Sequence, residues 1–181
     1  MTQMRMSASA TAAVVAAAAI ALLLVALAPA GAHAATIEIK GKTDKGLKFK
    51  GPDTVDAGEN LKIENLTNPK KVGPHTFTLA EKKYFPKTGK EIDACFAPDQ
   101  LCGKVGEAHE VDFEEETIGK DDVESGKKGW DTLFTPKKDG DSFFLGGEGQ
   151  KYKRKVSAKA GTKLTYFCFI HPWMQGTIKV K

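Results

Sequence analysis

One loop near the C-terminus constrains this chain more than any other feature. In "YFCFIHPWMQG", residues 166–176, a cysteine, a histidine and a methionine follow one another at intervals of three, as Cys168, His171 and Met174. The stretch "KLTYFCF" leading into them is rich in β-branched and aromatic residues and reads as a strand. Pro172 stops that strand from continuing, and "GTIKVK" opens another after Gly176. The three donors therefore sit on one tight loop between neighbouring strands, short enough to face a common centre.

The N-terminus sets the compartment in which such a loop must work. Arg5, an Ala/Val/Leu-rich run from about Ala12 to Ala28, Pro29 and the small residues at Ala32–Ala34 form the pattern of a secretory signal peptide over residues 1–34. The apolar run nearly reaches the roughly 18 residues of a membrane-span candidate, so an uncleaved N-terminal anchor is the alternative. Either way the remaining chain, 35–181, is expected to be extracytoplasmic, secreted or periplasmic, with no stable membrane insertion once the signal is cut.

Losing that leader makes three residue types informative. Met1, Met4 and Met6 leave with it, so Met174 becomes the sole methionine. His75, His109 and His171 remain, as do Cys95, Cys102 and Cys168. An odd number of cysteines in an oxidising compartment leaves one thiol to explain. Cys95 and Cys102, close together in "CFAPDQLC", suit a disulfide closing a small loop, with a metal or redox use of the pair as the alternative. The net charge of +4, reduced by one with Arg5, is too mild to argue for nucleic acid. The acidic run 107–124 and the basic run 151–163 read as solvated surface.

Most of the mature chain alternates. "TIEIKG" sets Ile37 and Ile39 on one face, "LKFKG" Leu47 and Phe49, "NLKIENLT" Leu61 and Ile63, "HTFTLA" His75, Phe77 and Leu79, and "GTIKVK" Ile178 and Val180. Nothing sustains a helical repeat, and no internal repeat is visible. Short strands between Gly, Pro and Asn turns predict one all-β domain, an antiparallel sandwich or barrel. From about 81 to 141 the chain is polar, charged and glycine-rich. It reads as a long insertion between the two halves of the sandwich, with some local structure of its own.

A thiolate, an imidazole and a thioether make a soft donor set, suited to copper and open to zinc. A second imidazole is available in "GPHTF", where His75 starts a strand distant in sequence yet plausibly adjacent in a sandwich. Two histidines and a cysteine in a plane with a long bond to methionine is a blue-copper arrangement, here with His75, Cys168 and His171 equatorial and Met174 axial. Zinc fits less well, because its structural sites take four strong Cys or His ligands.

These residues carry a family resemblance. "YFCFIHPWMQGTIKV" resembles the C-terminal ligand loop of the cupredoxins, and its short spacing is most like the amicyanin/plastocyanin-type proteins. "GPHTF" is similar to their upstream histidine motif, and "DTVDAGENLKIENLT" to a preceding strand pair. The resemblance spans roughly residues 36–80 and 142–181. It implies a Greek-key β-sandwich, a single type 1 copper ion, and an apolar surface near His171, with Pro172 and Trp173, where a redox protein partner docks. Two departures stand out. Thr76 replaces the asparagine that many members carry after the upstream histidine, leaving fewer groups to brace the ligand loop. His75 and Cys168 are also 93 positions apart, because the segment 81–141 has no amicyanin counterpart.

Such a centre offers no open coordination position and no accompanying general base, so a one-electron carrier is expected rather than an enzyme. The alternatives are a protein that buffers or delivers copper, and a metal-free binding module. Three weaker signals remain. His109 among carboxylates is a conceivable second metal site, "DGDS" at 139–142 a faint calcium motif, and Asn65 in "NLT" an acceptor for glycosylation in a eukaryotic route.

Overall fold

Alternating apolar residues build two facing sheets in the computed structural model, which describes residues 34–115 and 117–181. All but the last residue of the leader expected at 1–34 lies outside the described residues. Strands β1 (Ala35–Lys40), β2 (Lys48–Lys50), β4 (Asn60–Asn65) and β10 (Lys151–Lys155) form a four-stranded sheet in the order β10-β4-β1-β2. Strands β3 (Thr54–Val55), β5 (His75–Leu79), β8 (Asp122–Val123), β9 (Ser142–Leu145), β11 (Lys163–Phe167) and β12 (Gln175–Val180) form a six-stranded one in the order β3-β12-β11-β5-β9-β8. The chain crosses between the sheets after β2, β3, β4, β9 and β10, which gives the sandwich expected from the sequence.

The predicted inward residues are inward. Ile37, Ile39, Leu61 and Ile63 of one sheet meet Phe77, Leu79, Leu164, Ile178 and Val180 of the other, all fully buried in a single cluster. Each such side chain contributes about 1.5–3 kcal/mol by leaving water. An aromatic group stands at its centre, with the Phe77 ring 4.7 Å from Tyr166, 5.1 Å from Trp130 and 5.9 Å from Phe49.

Pairing departs from a purely antiparallel sandwich in two places. β1 lies parallel to β4, and β12 parallel to β3.

The segment 81–141 is not bare loop. Helix α2 (Gly89–Ala94) begins at Thr88, whose hydroxyl accepts from the Glu91 amide while the Glu91 carboxylate accepts from the Thr88 amide. Helix α3 (Leu101–Ala108) follows, and the expected Cys95–Cys102 disulfide joins the end of α2 to the start of α3. A short hairpin of β6 (Val111–Asp112) and β7 (Thr117–Ile118) precedes β8. These elements cover the outer face of the six-stranded sheet, and a second buried cluster forms there from Phe85, Leu101, Cys102, Val105, Phe134, Phe167 and Phe169.

The basic run 151–163 is not surface throughout. Arg154 is 7% exposed, with its guanidinium 4.3 Å above the Trp130 ring and paired with Asp122 and Glu124. A planar cation that stacks on aromatic faces can be covered in this way where a lysine would be held in water.

Candidate metal centre

His75 opens β5, and the turn before it is built for that placement. Asn68 caps the short helix α1 (Pro69–Val72) by accepting from the Lys70 amide, and Pro69 occupies the first helical position. Gly73 ends the helix at φ 74°, a conformation costly for any residue with a side chain. The chain then enters β5 with the His75 ring turned into the gap between the sheets, fully buried.

Cys168 lies one residue beyond β11. The loop that follows closes on itself, with the Met174 amide donating to the His171 carbonyl at 2.8 Å and the Cys168 amide to the Met174 carbonyl at 3.1 Å. Those bonds hold Cys168, His171 and Met174 in one turn. Cys168 is fully buried, Met174 is 1% exposed and His171 is 7% exposed.

The two imidazoles converge on the sulfur. Cys168 Sγ is 3.7 Å from His171 Nδ1 and 4.0 Å from His75 Nδ1, and the donor atoms of the three residues lie within 4.8 Å of one another. Metal–nitrogen bonds of about 2.0 Å and a metal–sulfur bond of about 2.3 Å, roughly 120° apart, separate sulfur from nitrogen by about 3.7 Å. The sulfur–nitrogen separations of the His–Cys–His group therefore suit a shared ion, and the group could hold copper. It is the one such group among the described residues. The fourth expected ligand, Met174, is brought to the same buried cluster as Cys168.

Hydrogen bonds fix which nitrogen of His75 faces the centre. The Asn65 amide group donates to the carbonyls of Leu145 and Gly147, so its oxygen is the acceptor. That oxygen receives the Thr67 amide at 3.0 Å and the Thr67 hydroxyl at 2.7 Å. With its hydrogen spent there, the Thr67 hydroxyl accepts from His75 Nε2 at 2.8 Å. The hydrogen of the neutral ring is thus on Nε2 and the Nδ1 lone pair points at Cys168. Such a partner on the far nitrogen orients a metal-binding histidine. Asn65 itself is fully buried and engaged, so the "NLT" motif offers no exposed sugar acceptor.

Thr76 braces the sulfur. Its amide donates to Cys168 Sγ at 3.2 Å, and its hydroxyl accepts from the Phe169 amide at 3.0 Å. One residue thereby grips both the Cys168 sulfur and the peptide that follows it.

Burial controls protonation in the centre. Removal from water pushes His75 down to about 3, helped by the neighbouring His171, and lowers His171 as well. Both rings are neutral near pH 7, with lone pairs free. Burial pushes the Cys168 thiol up, against the pull of the Thr76 amide. A metal must therefore displace that proton to gain the sulfur.

The surroundings are uneven. Trp173 is 42% exposed, lies edge-on to His171 at 5.2 Å and donates its indole N–H to the Asp44 carbonyl, whereas Pro172 is buried. Of the two residues expected at a surface beside His171, only Trp173 is exposed. On the other flank, Phe169 and Ile170 of the ligand loop line an apolar groove of about 370 Å³ with Pro74, Phe96, Phe113 and Phe144. His109 lies apart from the donor group, fully buried, with both ring nitrogens hydrogen-bonded to Lys120 and Ser142. In "DGDS", the Asp141 carboxylate accepts from the amides of Ser125, Asp131 and Thr132, so it serves as a structural acceptor.

The sequence pointed to His75, Cys168, His171 and Met174, and missed the residues that hold them. Asn65 and Thr67 were legible only as a glycosylation motif. Thr78 and Ser142 gave no sign of their contacts and His109 was legible only as a metal candidate among carboxylates, because these contacts join distant parts of the chain.

The chain matches no protein-family model and no curated protein. Solved structures similar to it include reduced auracyanin of Roseiflexus castenholzii, at 16% identity and a TM-score of 0.40 over 81% of this chain and 94% of that one. Auracyanin A of Chloroflexus aurantiacus, described as a blue copper protein, is similar at 16% identity and a TM-score of 0.41, over 81% of this chain and 96% of that one. Amicyanin of Paracoccus versutus is similar at 17% identity and a TM-score of 0.36, over 85% of this chain and 87% of that one.

Proposed function

We propose that this chain is an extracytoplasmic type 1 copper protein that carries single electrons, with His75, Cys168 and His171 as equatorial ligands and Met174 as the axial one. The observation that carries the reading is the convergence of two neutral imidazole Nδ1 atoms on one fully buried, otherwise unpaired cysteine sulfur. Soft and borderline donors of this kind select copper over hard cations. Copper in such a set supplies a one-electron couple between its two common valences.

The residues supply rigidity. Asn65 and Thr67 hold the His75 ring, Thr76 holds the Cys168 sulfur, and the backbone bonds of the 168–174 turn hold His171 and Met174. A donor set fixed from behind changes little when the charge at its centre changes, which favours fast exchange of electrons. The sheets and the outer cluster keep water from the sulfur. Trp173, exposed beside His171, is the proposed contact for a redox partner.

The Cys95–Cys102 disulfide supports an oxidising compartment, in line with a secretory leader over residues 1–34 and a copper domain over 35–181. Within that domain, residues 81–141 would be an addition that covers the outer face of the ligand-bearing sheet.

Electrochemistry of the copper-loaded protein tests the carrier role. A reversible one-electron wave that persists through repeated cycles, with copper retained after desalting, is expected. Loss of the metal on reduction would favour a copper-delivery protein instead.

A further inference from the structure

A row of buried polar groups runs from the sulfur ligand to the segment covering the sheet. Its members are Thr76, Thr78, Ser142 and His109, all fully buried. The Phe169 amide donates to the Thr76 hydroxyl at 3.0 Å, and the Thr78 hydroxyl is within donating distance of Thr76 at 3.0 Å. Thr78 also lies 2.7 Å from the Ser142 hydroxyl, across the β5–β9 pair, and Ser142 lies 2.7 Å from His109 Nε2. The far end is tied to backbone, with His109 Nδ1 donating to the Lys120 carbonyl at 2.7 Å.

Several features hold His109 in place. It caps the C-terminus of α3, its carbonyl accepts from the Lys120 amide at 3.0 Å, and its ring stacks on Phe169 at 5.9 Å and 20°. Glu110 then turns the chain at φ 55°, a left-handed conformation that residues with side chains rarely adopt. Backbone strain of this kind persists only where the surroundings fix it.

Hydrogen supply makes the row directional. The Lys120 carbonyl can only accept, so Nδ1 carries the hydrogen of a neutral ring and Nε2 is bare. Burial lowers His109 and so favours that neutral form. The Ser142 hydroxyl then donates to Nε2, and its oxygen is left to accept. Thr78 donates to Thr76 and has a second acceptor in Ser142, so the commitment of Ser142 to Nε2 decides how that one hydrogen is shared. The Thr76 oxygen has lone pairs for both the Thr78 hydrogen and the Phe169 amide, so its orientation is set from both sides.

We propose that His109 is a positioning residue for the sulfur ligand, acting through Ser142 and Thr78 to set the Thr76 hydroxyl and hence the Thr76 and Phe169 amides on either side of Cys168. The proposal rests on the reading of Cys168 as the copper ligand. The cover over the sheet would then reach into the centre chemically as well as by packing.

The test uses the whole protein with three substitutions. His109→Phe keeps the ring stack on Phe169 and removes both nitrogens, whereas Ser142→Ala breaks the row in the middle and leaves His109 bonded to Lys120. His109→Gln can donate to Lys120 and accept from Ser142, and serves as the rescue. In the metal-free protein, amide hydrogen exchange at Phe169 should quicken by about tenfold in the first two variants, the equivalent of one buried hydrogen bond, and return toward the parent rate in His109→Gln. In the copper-loaded protein, the same two variants should lower the reduction potential and shift the sulfur-to-copper absorption band, and His109→Gln should restore both.

Unchanged Phe169 exchange, or changed exchange with an unchanged potential and band, would overturn the proposal even if thermal stability fell. Should the parent protein form no thiolate–copper band at all, the copper reading fails, while the exchange measurement still reports on the row itself. If His109→Phe fails to fold, Ser142→Ala alone decides the outcome.

Discussion

The cluster between the two sheets and the cluster outside the six-stranded sheet meet along β11 and the residues that follow it, and are built differently. Leu164, Tyr166 and Cys168 face the first, whereas Phe167 and Phe169 face the second. The inner cluster is assembled from alternating strands spread along the chain. The outer one takes its remaining members from 80–134, where two short helices, a disulfide and irregular chain do the covering. The inner cluster thus places the four candidate ligands, and the outer one makes their surroundings dry. Cys168 is fully buried because both are present.

Disturbing each side separately sharpens this division. The largest effect belongs to Cys168→Ser, which should abolish the intense visible band of the copper protein and most of its copper affinity, measured by titration, because a hydroxyl is a poor ligand for soft copper. Phe77→Ala, in the aromatic centre of the inner cluster, should cost about 3–5 kcal/mol in denaturant unfolding of the metal-free protein. Replacing both Cys95 and Cys102 by serine should cost less, about 2–3 kcal/mol for a loop of that length. It should also raise amide exchange across α2 and α3 more than across β1 and β4. Equal loosening of both regions would show that the clusters are one cooperative unit.

A pH dependence isolates one ring of the inner region. His75 protonates at about 6.5 in the unfolded chain and only at about 3 in the folded one. The unfolded state therefore binds more protons between those values, and folding stability is lost as pH falls through that window. The slope should approach about 1.4 kcal/mol per pH unit for this ring alone, read from metal-free unfolding curves. In the His75→Asn variant that contribution to the slope should vanish.

The same contrast explains what could be read from the sequence. Ile37, Ile39, Leu61, Ile63, Ile178 and Val180 announce their side of the sandwich by period-two alternation, which depends only on neighbours along the chain. Cys168, His171 and Met174 were legible for a similar reason, since their spacing fits one turn and a sole free thiol needs a purpose. Strand β5 was half legible. Its inward face, His75, Phe77 and Leu79, follows the alternation, but the pattern does not show that Thr76 and Thr78 on the other face are fully buried under the cover. Arg154 likewise read as surface because its partners, Trp130 and Asp122, are contributed by the segment with the weakest local signal. Long-range polar contacts of this kind have no period, so composition and spacing could not reveal the bonds of Asn65 to Thr67, Ser142 to Thr78 or His109 to Ser142.

The visible absorption spectrum of the protein loaded with one equivalent of copper(II) bears most directly on the central claim. The expected result is an intense blue colour from thiolate-to-copper charge transfer. A pale spectrum with only weak metal-centred bands, in a protein shown to be folded and to have bound the ion, would mean that Cys168 does not ligate copper.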